Sequence, residues 1–323
     1  MTSHFQVSKA CASVVRAALT VAIMTISCMA GSTTLAAPIG TYMYGLDDSG
    51  DIYEINPATQ TTTKVFTSPP STVLANSTAY DDSRGQLFFI DGASGLNYWQ
   101  RGASDVANVT GAPVGVSADP FNAAYYNNAI YFFEANTANL KRANLAYTAS
   151  GSSVIPSITS VDTFVISGMS PTGNNTNTFG DIAIDTNTGT LYASTSRGRF
   201  YSLSLADPEN SFNQIVASLG NDRSVGYQLA FSSDNSTLYG HRYSDGSWVT
   251  IDTATGAATA ISGFVTTFGN GGFRDLGGSA LNPVPEPSTI GLAAVGALAG
   301  LGWTLRRRLA AQCSWASSLK SPA

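Results

Sequence analysis

Cysteine is nearly missing from this 323-residue chain, and its three copies all fall near the ends. Cys11 and Cys28 lie in the N-terminal leader and Cys313 in the C-terminal tail. A disulfide inside the long middle is therefore excluded, and that body must be held by its own core or by ions. Histidine is as scarce, with only His4 and His241. Without thiols or a second imidazole, the body has no ligand set for a transition metal of the usual His/Cys kind, and nothing calls for a cofactor. A Ser–His–acid hydrolase would have to use His241, which follows Leu238-Tyr239-Gly240 at a strand end, and no Gly-x-Ser-x-Gly elbow accompanies it.

Positive charge is the third shortage. Charged residues make up 11% of the chain, and the body between the two ends has ten Lys+Arg against twenty Asp+Glu, a net of about −10. Such a surface repels nucleic acid and anionic lipid, so neither is expected as a partner. What is abundant is Gly (31), Tyr (14) and Phe (15), with much Ser, Thr and Asn. Thr and aromatic residues suit pleated strands while Gly and Asn suit turns, and the balance points to an all-β body.

The ends have a different character. Lys9 and Arg16 precede the apolar stretch Ala17–Met29, and small residues continue to Ala37. This is the layout of a secretory signal peptide spanning residues 1–36, with Thr34 and Ala36 at the small positions before the cut. Thr25-Ile26-Ser27 ahead of Cys28 does not make a lipobox. At the other end, Val284-Pro285-Glu286-Pro287-Ser288 is followed by the apolar run Ile290–Leu305 and then Arg306-Arg307-Arg308. That run is long enough to cross a membrane with snorkelling flanks, and the arginines would keep its far side in the cytoplasm.

Motif, apolar run and basic cluster in this order resemble the PEP-CTERM sorting signal, here residues 283–308. The resemblance implies a membrane tether before processing, an exosortase-type protease as partner, and a final place at the cell surface or outside it. Residues 309–323 depart from the pattern as an added cytoplasmic tail.

Between the ends, the body at 37–282 repeats. Ala79-Tyr80-Asp81 leads to Leu87-Phe88, Ala124-Tyr125-Tyr126 to Ile130-Tyr131, Ala183-Ile184-Asp185 to Leu191-Tyr192, and Ala230-Phe231-Ser232 to Leu238-Tyr239. Turn residues separate the members of each pair, for example Asn127-Asn128 and Thr186-Asn187-Thr188-Gly189, so each unit opens as a hairpin. Third and fourth strands recur as well: Ile55-Asn56-Pro57-Ala58-Thr59 echoes Ile251-Asp252-Thr253-Ala254-Thr255. Four strands per unit at a spacing in the forties predict a β-propeller, with a β-sandwich as the alternative. Met43-Tyr44 lacks an opening strand, and Phe273–Leu281 supplies one at the far end, so five blades are expected with the last strand closing the first blade. The long interval around Ala149–Asn177 is expected to hold a long loop or a poorly marked extra blade.

Two candidate sites follow. Two residues before each aligned small residue stand Ser77, Asn122, Asp181, Gln228 and Asp275, which would ring a central channel if these strands are innermost. Asp47, Asp48 and Asp51 form a carboxylate-rich turn, a weak Ca²⁺ candidate whose simpler reading is a hairpin turn. The expectation is a non-enzymatic envelope or matrix protein whose propeller binds an exopolysaccharide or a surface protein. The alternative is a glycan hydrolase using paired carboxylates such as Asp181 and Asp275.

Overall fold

Hairpin follows hairpin along the whole body. The computed structural model describes residues 42–67, 76–90, 95–111, 122–134, 137–151, 153–169, 179–195, 198–216, 226–269 and 271–278. The leader, the sorting segment and the tail lie outside them. So does the apolar run Ile290–Leu305, and among the described residues no helix is long and apolar enough to cross a membrane.

The chain opens with β1 (Met43–Leu46), β2 (Ile52–Asn56) and β3 (Thr61–Phe66). The second blade is β4 (Asn76–Asp81), β5 (Gln86–Ile90), β6 (Leu96–Gln100) and β7 (Val106–Asn108). After the short β8 (Thr110–Gly111), the third consists of β9 (Ala124–Tyr126), β10 (Ala129–Phe133), β11 (Asn139–Ser150) and β12 (Ser153–Val165). The fourth holds β13 (Phe179–Asp185), β14 (Thr190–Thr195), β15 (Phe200–Ser204) and β16 (Asn213–Val216). The fifth holds β17 (Tyr227–Phe231), β18 (Leu238–Arg242), β19 (Ser247–Ile251) and β20 (Ala258–Val265). Finally β21 (Asp275–Gly277) returns to pair antiparallel with β1, Tyr44 opposite Gly277 and Leu46 opposite Asp275. This is the composite first blade that the sequence predicts.

Neighbouring first strands touch in the order β4, β9, β13, β17, β21, and β21 meets β4 again, so the sheets close into a five-bladed ring. The described body is all-β. Of the interval 149–177, expected to hold a loop or an extra blade, residues 153–165 are instead the outer half of one long hairpin, and 170–177 lie outside the described residues. β11 and β12 pair from Asn139–Val165 to Ser150–Ser153, with β8 added in parallel at Ser157 and Ile158. As the fourth strand, covered at its outer edge only by the two residues of β8, β12 has a solvent face and so lacks the apolar pattern that marks inner strands.

Period-two alternation explains the repeated aliphatic–aromatic pair. Adjacent strand residues face opposite sides of the sheet, so each pair serves both neighbouring blades. Tyr44 packs towards the second blade while Met43 packs towards the fifth. Phe88 faces the third and Leu87 the first, and Tyr131 faces the fourth while Ile130 faces the second. Tyr192 and Tyr239 continue the rule around the ring. Five cores between blades result, where each buried aromatic contributes about 1.5–3 kcal/mol.

The small residue of the repeat sits where inner strands approach most closely. A Cβ on Gly277 would lie 3.1 Å from Leu87 Cδ1. Turns obey local chemistry too. Asn127 and Asn128, at φ 49° and 58°, form the two-residue connection between β9 and β10. The recurring Ile-(Asn/Asp)-x-Ala-Thr is a side-chain turn. Asn56 Oδ1 accepts from the amides of Ala58 and Thr59, and Asp252 Oδ1 accepts from those of Ala254 and Thr255.

Candidate functional site

The five polar positions do lie on or beside the innermost strands, at equivalent levels of the ring. Ser77 is on β4, Asn122 stands two residues before β9, Asp181 is on β13, Gln228 on β17 and Asp275 on β21. They do not line an open channel. Ser77, Asn122, Asp181 and Asp275 are buried, and only Gln228 is partly exposed. Two of these side chains, Asp181 and Asp275, reach the next blade, as the repeated alanines do.

Asp181 and Asp275 use that direction identically. Asp181 Oδ1 accepts from the amide of Ile182 at 2.6 Å, and Oδ2 from that of Leu229 on the fifth blade at 2.8 Å. Asp275 Oδ1 accepts from the Leu276 amide at 3.0 Å, and Oδ2 from that of Thr78 on the second blade at 2.6 Å. Each carboxyl thus bridges its own strand and the next inner strand, where no sheet ladder runs. Asn122 differs, its Oδ1 accepting from Phe133 N within its own blade at 2.9 Å. Ser77 takes a left-handed backbone, φ 63°. Gln228 Oε1 is a buried carbonyl oxygen without a hydrogen-bond partner.

The two carboxyls also lie close enough for each to shift the other's titration. Neither has any solvent exposure. Burial raises the pKa of both, and the mutual negative charge raises Asp181 further; Asp275 is pushed up to about 7. A retaining or inverting glycosidase holds its carboxyls about 5 Å or more apart, with sugar or water between them. Asp181 and Asp275 lack the solvent access that such a pair needs.

The acidic turn of the first blade is likewise committed to protein partners. Asp47 Oδ1 accepts from the amides of Ser49 and Asp51, and Oδ2 from the Tyr53 hydroxyl. Asp48 pairs with Arg274 and accepts from the Tyr243 hydroxyl, while Asp51 pairs with Lys64. The three carboxylates diverge to separate donors, and among the described residues no group of three or more His, Cys, Asp or Glu is placed to hold a metal. His241 is fully buried against Trp248 and Phe273, with Nε2 3.4 Å from the Thr266 carbonyl. Burial lowers its pKa to about 4, so it is neutral.

One polar cluster had no sequence signal. At the seam of the second and third blades, the Arg84 guanidinium lies 3.7 Å over the Tyr147 ring. Its Nη1 donates to Asp81 at 2.7 Å and to the Tyr125 hydroxyl at 3.0 Å. The Tyr147 hydroxyl, on the long hairpin, donates to Asp81 at 3.3 Å. Tyr125 and Tyr147 are far from Asp81 and Arg84 in the chain, and only the ring brings the two pairs together.

Among curated proteins, none is significantly similar to this chain. A chain from a crystal structure of a nidogen/laminin complex aligns with TM-score 0.45 and 10% identity, over 73% of this chain and 97% of that one. Residues 283–308 match the family model of the PEP-CTERM protein-sorting motif. The chain thus carries, after a five-bladed propeller, the mark of an exported protein that is membrane-anchored until an exosortase cuts it.

Proposed function

We propose that the propeller is a non-enzymatic binding module of the cell envelope or extracellular matrix, taking a polysaccharide or a surface protein as partner. The observation that carries this reading is the sorting motif at 283–308, which implies a destination outside the cytoplasm. The outer strands support it. Exposed Thr61, Thr63, Thr159, Ser160, Thr259 and Ser262 offer neutral hydroxyls, the hydrogen-bonding groups that match a sugar polymer without needing charge. Burial and mutual contact of Asp181 and Asp275 weigh against the alternative of a glycan hydrolase built on that pair.

In this reading residues 1–36 are a cleaved leader and Ile290–Leu305 spans the membrane, with Arg306–Arg308 on the cytoplasmic side. The test is retention of the released body on a glycan array and on matrix polymer from an exopolysaccharide-producing bacterium. Specific, saturable retention supports the proposal. Failure to bind any matrix polymer or surface protein counts against it, and release of reducing ends from a bound glycan would replace it with an enzyme.

A further inference from the structure

Two buried carboxyls meeting at the axis of a ring raise a question of charge. Both ionised, they would place two negative charges close together without solvent, and among the described residues no ion pair reaches either carboxyl. The nearby charged groups are engaged elsewhere. Next to Asp275, Arg274 on the approach to β21 reaches Asp48 at 3.0 Å. On β4, Asp81 pairs with Arg84. At the end of β13, Asp185 accepts from Asn235 and Thr188, and on β18 His241 is neutral beside Thr266. The strand between the two carboxyls, β17, contributes only the uncharged Gln228 at this level. What the pair does have is four backbone amides, one for each carboxyl oxygen. Four such donors stabilise one negative charge spread over a hydrogen-bonded pair.

We propose that Asp181 and Asp275 share a single proton at the ring axis, and that this proton holds four of the five inner strands together, so that its loss loosens the ring. The strands concerned are β13, β17, β21 and β4, through Asp181, Leu229, Asp275 and Thr78. The proton belongs to the pair rather than to either residue. With it, the pair is an acid–carboxylate hydrogen bond. Without it, like charges repel, and two blade-to-blade bridges are strained at once.

The sign of the pH effect is fixed. An unfolded carboxyl titrates near ~4, whereas burial and the mutual negative charge hold the folded pair's proton well above that. The pair's contribution is therefore complete below ~4 and is lost as pH rises from there through the folded pair's raised value. The experiment follows the thermal midpoint of the full-length chain in detergent across that interval, for wild type, Asp181→Asn and Asp275→Asn. The wild-type midpoint should fall with rising pH, corresponding to uptake of about one proton on folding, and both variants should flatten that slope. An unchanged slope in the variants overturns the proposal.

A second measurement does not depend on the variants folding. Infrared spectra of the wild type at neutral pH should contain a protonated-carboxyl C=O band that disappears on alkalinisation. Its absence overturns the proposal. A divalent cation bound in stoichiometric amount, whose removal by chelator lowers the wild-type midpoint, would do the same by putting a metal ion in the proton's place.

Discussion

The axis and the rim of this ring join blades by opposite means. At the axis, Asp181 and Asp275 have no exposure and give every carboxyl oxygen to a backbone amide. At the rim, Arg84, Tyr125, Tyr147 and Asp81 join the second and third blades through side chains that bond one another, with Arg84 and Tyr147 partly in water. A buried bridge is strong, but it depends on its protonation state. A half-exposed one is weaker because water competes for its partly exposed members, Arg84 and Tyr147, though Asp81 and Tyr125 are buried. The molecule places the first kind where strands are too close for solvent and the second where solvent is present.

Replacing a member at each place should expose the contrast. Asp181→Ala leaves the Leu229 and Ile182 amides without their acceptor and Asp275 without its partner. It should cost about 3–5 kcal/mol in equilibrium denaturation. The buried seam between the fifth and first blades carries the next effect, through His241. Its folded pKa of about 4 lies below the unfolded value near 6.5. Stability present above ~6.5 is then lost as pH falls through about 4, by roughly 3 kcal/mol, and His241→Gln should flatten that acid limb. At the rim, Arg84→Ala should cost only about 1 kcal/mol, with a loss that shrinks in high salt. An equal loss at rim and axis would break the comparison. The smallest expected effect is a gain. Gln60 holds the left-handed position, φ 56°, that Gly256 fills in the matching turn, so Gln60→Gly should raise stability by about 0.5–1 kcal/mol in the same denaturation assay.

Much of the architecture is legible in the sequence because it is built from local patterns. The pair Leu87-Phe88 and its four counterparts encode both faces of a strand, and Asn127-Asn128 encodes a two-residue turn. The closing strand at Asp275–Gly277 is legible because the first unit lacks a partner and the last has one to spare. The long hairpin is not. Ser153–Val165 carries Pro156 and reads as loop, since an outer strand with a wet face needs no strict alternation and tolerates proline at an edge.

For the site, position is legible and environment is not. The two-residue offset places Asp181 and Asp275 on inner strands at one level. Their burial and mutual contact depend on blades separated by nearly a hundred residues, which no spacing rule conveys. The Arg84–Tyr147 contact is hidden for the same reason.

The closing strand also sets an order of events. Until Asp275–Gly277 arrives, β1 has β2 on one side and an unpaired edge on the other. The body therefore cannot finish folding until nearly all of the chain is available, which, for the export that the sorting motif implies, means after nearly all of it has crossed. A chain cut short before Arg274 keeps a sticky edge that invites pairing with other chains. Completion of export and completion of the fold become one checkpoint, reached only a few residues ahead of the sorting motif at 283.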